Sequence, residues 1–211
     1  MTGSVSSPSP EGASAPGPAP RLRWRTVDIV VAATVAAAFG VVFWLWNVTF
    51  AAVSGLFLVF PPSQGLMMGV WLIPAVLGPL IVRRPGAAVF TELVAAAVSV
   101  LFGSASGLAI LLLGLLQGAG AEAVFAATRY RSWRPLTAVC AGVAAGITTT
   151  TYGLVMNYPT WPIAWMLGYY AVIGLSAALI AGLGSWYLVR GLAQAGALAS
   201  FPSARTHLDR R

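Results

Sequence analysis

LLQGAGAEAVFA, residues 115–126, places Gln117 and Glu122 inside one of the most apolar parts of the chain. On a helix in water an acid costs nothing. In hydrocarbon it is expensive, and its presence marks a need. Composition decides which solvent the segment meets. Of 211 residues, 58% are hydrophobic and 8% are charged, against about 25% charged in an ordinary soluble domain. Such a chain cannot cover a surface with polar groups, so it reads as an all-α integral membrane protein. The single cysteine, Cys140, excludes an intrachain disulfide framework and a thiol-based metal cluster. The only histidine, His207, lies in the polar C-terminal tail. No metal site and no cofactor is expected.

Working outward from 115–126, apolar runs recur at 27–46, 65–82, 86–103, 106–128, 136–157 and 162–189. A spanning helix needs about 20 such residues, so six spans are expected. A further run, AAVSGLFLVF at 51–60, is too short to cross and ends at Pro61-Pro62. It is expected at the interface or dipping inward as a cap. Residues 1–22, rich in Pro, Ser, Gly and Ala, read as a disordered cytoplasmic tail. Residues 23–190 read as the membrane domain, and 191–211 as a cytoplasmic tail.

The charges orient this plan. All twelve basic residues are arginines. With both termini in the cytoplasm, every one falls in an inside segment (1–26, 83–85, 129–135 or 190–211), and none in the outside segments 47–64, 104–105 and 158–161. Counting 51–60 as a seventh span would put Arg83 and Arg84 outside. The formal charge of +7 therefore reports membrane topology, not a nucleic-acid surface.

Within the spans the acids are Glu92 and Glu122, with Asp28 at the cytoplasmic mouth of the first. At 1.5 Å per residue, Glu92 lies about 9 Å above Gly86 and Glu122 about 10 Å above Arg129. Two antiparallel neighbours thus carry carboxylates at matching depth. Ala88, Glu92, Ala96, Ser99 and Gly103 form one small-residue stripe, and Gly114, Gly118 and Glu122 another, which aims both acids into a helix seam. No arginine shares their depth, so the pair invites a cation or a hydrogen-bond donor. Gln117 adds an amide that both donates and accepts. Two readings stand side by side: a small-molecule site, or polar groups that tie helices together. The Thr148–Thr151 run favours the second, because threonine bonds its own helix backbone. Trp161 and Trp165 fit either an interfacial belt or the closure of a pocket that opens outward.

The segments GVWLIPAVLGPLIVRRPGAA (69–88), RRPGAAVFTELVAAAVSVLFGSASG (83–107) and LLQGAGAEAVFA (115–126) resemble the YkoE-type S components of energy-coupling-factor (ECF) transporters. The resemblance covers nearly everything from Trp24 to Arg190. It implies a six-helix subunit of the bacterial cell membrane that binds thiamine or its hydroxymethylpyrimidine precursor near the outer side. It also implies a transmembrane coupling subunit and cytoplasmic ATPases as partners. An aminopyrimidine edge suits a carboxyl or amide, and its ring suits an aromatic face. The expected site is therefore Glu92, Glu122 and Gln117 for polar recognition, Trp71, Trp161, Trp165 and Tyr169 for stacking, and Asn157 at the outer mouth. Ala32, Ala33, Ala36, Ala37 and Gly40 on the first span are the expected docking face for the coupling subunit. A chain without lysine has no Walker A motif and cannot hydrolyse ATP itself. It is not expected to be an enzyme. The competing reading is a stand-alone carrier that relays protons through the Glu92/Glu122 pair.

Overall fold

The computed structural model describes residues 23–103, 107, 109–196 and 198, so the N-terminal tail, most of the 104–108 connection and most of the C-terminal tail lie outside the described residues, while the last helix carries the chain to Gln194, into the segment expected to be tail. The described residues form helices and turns, with no strand. Helix α1 spans Thr26–Val53 and continues through a 3-10 turn, Ser54–Phe57. A 3-10 helix, Pro61–Leu72, leads into α2, Ile73–Val82. Then come α3 (Ala87–Leu101), α4 (Ala109–Ala127) and α5 (Pro135–Met156). The last rod is α6 (Ile163–Ser176), a π-helical stretch Ala177–Gly184, and α7 (Ser185–Gln194). Five of these rods are long and apolar enough to cross a membrane, and α3 is a shorter apolar helix of 15 residues.

Local chemistry explains the boundaries. α1 runs past Asn47 because nothing between Thr26 and Val53 breaks a helix, so residues 51–60 extend the first rod and its exit turn and do not form a separate dip. Pro61 and Pro62 open the next helix, where a missing N–H costs nothing. The following 12-residue 3-10 run is unusual, since such runs seldom exceed 3–4 residues. Tertiary bonds replace the α-helical ladder there. The Gly69 N–H donates to Ser176 Oγ at 3.0 Å, and that hydroxyl donates to the Leu66 carbonyl at 2.6 Å. At the other end of α2, Arg83 adopts a left-handed conformation (φ 56°), and Gly86 (φ 81°) turns the chain into α3.

α2 is the centre of the bundle. Every residue from Pro74 to Val82 is buried, and the helix touches α1, α3, α4, α5 and α7. Around it, α1 packs on α3, α3 on α4, and α4 on α5, while α6 lies against the 3-10 helix. Lipid offers no hydrophobic drive for helices to associate, so close backbone approach must supply the attraction. Glycine provides it. A Cβ on Gly118 would sit 2.7 Å from Val89 Cα, one on Gly120 2.8 Å from the Ala144 carbonyl, and one on Gly182 2.6 Å from Val139 Cα. The expected Gly114/Gly118 seam against α3 is present.

The small-residue stripe of α1 is used differently from the expectation. Ala32, Ala36 and Gly40 are buried. A Cβ on Gly40 would collide with Val98 of α3, so this stripe is the α1–α3 seam and not an outward docking face. Ala33 and Ala37, half-buried, flank it.

These seams make a clean prediction. Gly118→Ala should cost roughly 1–3 kcal/mol because rigid backbone is the obstacle, whereas Gly174→Ala, with open space around it, should stay within about 0.5 kcal/mol. Unfolding followed in detergent micelles checks the pair.

Candidate ligand-binding site

The arginine-bearing end of the bundle is tied shut. Asp28, fully buried, accepts from the Arg25 backbone N–H at 3.0 Å and the Arg25 guanidinium at 3.1 Å, and Arg84 Nε reaches it at 2.9 Å from the α2–α3 turn. Trp24 Nε1 donates to the Pro85 carbonyl at 2.9 Å. The opposite end, where α1, α5 and the 3-10 helix present residues without charge, holds a cavity of about 490 Å³. That is the size of a small-molecule site.

Each wall follows from the elements above. α1 contributes Phe43, Asn47 and Phe50, and the 3-10 helix contributes Gln64, Met68 and Trp71. α4 supplies Ile110, Leu113 and Gln117; α5 supplies Thr149, Tyr152 and Asn157; Tyr158 and Tyr169 complete the ring. Two wall amides are fixed by aromatic donors: Trp71 Nε1 donates to Asn47 Oδ1 at 3.1 Å, and Tyr158 OH to Gln64 Oε1 at 3.3 Å. Gln117 differs. It is only 5% exposed, yet among the described residues its side chain has no hydrogen-bond partner. Its amide is part of the cavity wall, where both its donor and its acceptor are uncommitted.

Of the residues expected to recognise a ligand, Gln117, Trp71, Asn157 and Tyr169 line the cavity together. Trp161 and Trp165 stand one layer behind it. Trp161 stacks on Tyr158 at 4.1 Å between centroids and meets Tyr169 edge-on at 5.5 Å, and Trp165 meets Trp161 edge-on at 5.8 Å. They hold the wall upright.

Glu92 and Glu122 are absent from the lining, and their geometry gives the reason. Glu122 accepts from the Gly86 and Ala88 backbone N–H groups and, at 2.7 Å, from Tyr130 OH. It caps the first turn of α3, where no local side chain does so. Burial, and then the bond to Glu122, push the Tyr130 phenol above its ordinary range, which keeps its hydrogen in place as donor. Glu92, fully buried, accepts the Ala75 N–H at 2.9 Å at the start of α2, beside Pro74. The two acids do not form an unpaired couple facing a guest; each finishes a helix. The threonines bond their own helix, as Thr149 does to the Ala145 carbonyl at 2.8 Å and Thr150 to Gly146 at 2.8 Å.

Sequence reasoning passed over Asn47, Gln64, Phe43, Phe50 and Tyr158, which also line the cavity. The available signal was that Asn47 and Gln64 bracket an otherwise apolar, arginine-free segment.

Known proteins can now be set beside this geometry. A family described as "ABC-type cobalt transport system, permease component" matches residues 27–148. The "Putative HMP/thiamine permease protein YkoE" of Bacillus subtilis (strain 168) is 32% identical over 176 residues, covering 83% of this chain and 87% of that protein. A solved structure, "Crystal structure of an S-component of ECF transporter", superposes with a TM-score of 0.85 at 29% identity, over 90% of this chain and 95% of that one. The chain belongs to the YkoE-type S components of ECF transporters. It is a multi-pass membrane protein of a transport system, and S components of this type take a small-molecule substrate and work with ECF coupling partners.

For this S component, Glu122→Ala should lower the unfolding free energy by roughly 1–3 kcal/mol, since it orphans two backbone donors and a phenol. Ligand affinity of the folded fraction should not change. Melting curves with and without ligand check both halves.

Proposed function

We propose that this chain is the substrate-specific subunit of an ATP-driven importer in the bacterial cytoplasmic membrane. In this reading it crosses six times, with both termini inside, and its cargo is thiamine or the hydroxymethylpyrimidine precursor. One observation carries the proposal: the unpartnered Gln117 amide at the wall of an aromatic cavity, at the end of the bundle away from the arginines. A primary amide pairs with an aminopyrimidine edge through one donated and one accepted hydrogen bond. Trp71, Tyr158 and Tyr169 offer ring faces to a flat heterocycle and, in thiamine, to a thiazolium cation. The permease name carried by the Bacillus relative points to the same cargo.

Other readings fare worse. A cobalt ion as cargo asks for imidazole, thiolate or carboxylate donors, and the lining offers none of them. A proton relay through Glu92 and Glu122 asks for acids open to the transport path, whereas both are engaged by backbone N–H groups and neither lines the cavity. No catalytic role is proposed, and ATP hydrolysis falls to partner subunits because a chain without lysine lacks the Walker A motif. Of the small residues on α1, Ala33 and Ala37 remain partly exposed for a coupling partner.

The test is equilibrium binding of thiamine and of hydroxymethylpyrimidine to the detergent-purified chain, without ATP or a proton gradient. Tight binding of at least one is expected. Gln117→Leu should weaken it by about 10- to 100-fold, on the scale of one lost buried hydrogen-bond pair, at an unchanged melting temperature of the empty protein. No binding of either compound overturns the assignment of cargo.

A further inference from the structure

The cavity has a property beyond its fit to a pyrimidine: among the described residues, no group with a formal charge lines it. Its polar lining consists of the amides Asn47, Gln64, Gln117 and Asn157, with threonine and tyrosine hydroxyls. In sequence, the segments 47–64, 102–110 and 155–165, which contain or adjoin lining residues, have no Arg, Lys, His, Asp or Glu. Along α4, Arg129 is twelve residues beyond Gln117, about 18 Å of helical rise. The amide NH₂ groups can donate to an oxygen but supply no charge. The aromatic walls bring rings whose faces attract cations and repel anions.

We infer that this site selects on charge. It admits neutral or cationic heteroaromatic alcohols and rejects their phosphate esters. The inference rests on the cargo class proposed above. A phosphomonoester carries between one and two negative charges near neutral pH, and here it would meet low dielectric, ring faces and no counter-ion. Proteins that hold phosphate do so with arginine, lysine or a cradle of helix N–H groups. The lining offers neither basic residue; α1 and α5 reach the cavity with their C-terminal ends and α4 with its N-terminal residues Ala109 and Ile110, so the helix dipoles there oppose one another. A place in a reaction sequence follows. When the compound outside is the phosphorylated form, a phosphomonoesterase-type hydrolysis must precede uptake. Water adds at phosphorus, the P–O bond to the ester oxygen breaks, and the free alcohol leaves with a proton as inorganic phosphate is released.

The experiment measures dissociation constants of the purified full chain for thiamine, hydroxymethylpyrimidine and the monophosphate ester of each. Esters should bind weaker than their alcohols by on the order of 100-fold or more. A second arm uses Asn157→Arg, which places a cation at the exposed mouth and should recover about tenfold or more of the ester affinity. Esters binding within about threefold of their alcohols would overturn the inference and leave the cargo assignment standing. So would an Asn157→Arg protein that binds alcohol yet gains nothing for ester, because charge would then not be the excluding term. Failure of both alcohols and both esters to bind would remove the cargo reading, and this inference with it.

Discussion

A helix that begins inside a membrane leaves N–H groups with no water to satisfy them, and this fold answers with acids, one from the helix's own first turn and two from the following helix. Asp28 closes the start of α1, Glu92 on α3 closes the start of α2, and Glu122 on α4 closes the start of α3. In the last two cases the acceptor is on the helix that follows the one it finishes. The result is a chain of dependencies through α2, α3 and α4, with negative charge or hydrogen-bond acceptance aimed at positive helix ends. Glycine seams at Gly40, Gly114 and Gly118 bring the same helices close enough for those bonds to form.

Because the acids hold the arginine-bearing half of the bundle together, the other half is free to open around a guest. There α1, α4, α5 and the 3-10 helix surround a volume with no formal charge, in which tryptophan and tyrosine donors fix Asn47 and Gln64 and leave Gln117 unsatisfied. Polar groups are thus divided by chemistry: the carboxylates Glu92 and Glu122 serve helix N–H groups, and the amides line the cavity. Trp161 and Trp165 extend the division outward as a stacked support behind Tyr158 and Tyr169.

Much of this was legible in the sequence. Apolar run lengths marked every rod, the arginines marked one end of the bundle, and the Gly114/Gly118 spacing located the α3–α4 seam. Gln117, Trp71, Asn157 and Tyr169, picked out from the sequence, line the cavity together. What failed was the assignment of partners. Rise per residue gives the depth of Glu92 and Glu122, but the groups they serve are backbone N–H donors, which no residue letter announces. The Ala32/Ala36/Gly40 stripe misled for a related reason: spacing shows that a face is smooth, not which neighbour occupies it. The 3-10 helix was hidden as well, since Ser176, more than a hundred residues away, supplies the bonds that favour it.

The π-helical stretch Ala177–Gly184 has a geometric consequence for the last rod. Each turn there holds more residues than an α-turn, so the side chains after it emerge rotated relative to an uninterrupted helix. That offset lets one continuous rod serve two clients: Tyr169 looks toward the cavity from its first half, and Ser185 and Val189 bury in its second, with Ser185 within 3.4 Å of the Ile73 carbonyl of α2. Deleting a single residue from the stretch would swing everything after it by about 100°, turning Val189 and Ala193 out of the core. The length of this segment is therefore as constrained as its composition, in a part of the chain where every residue is apolar and the letters alone give no hint of a counted register.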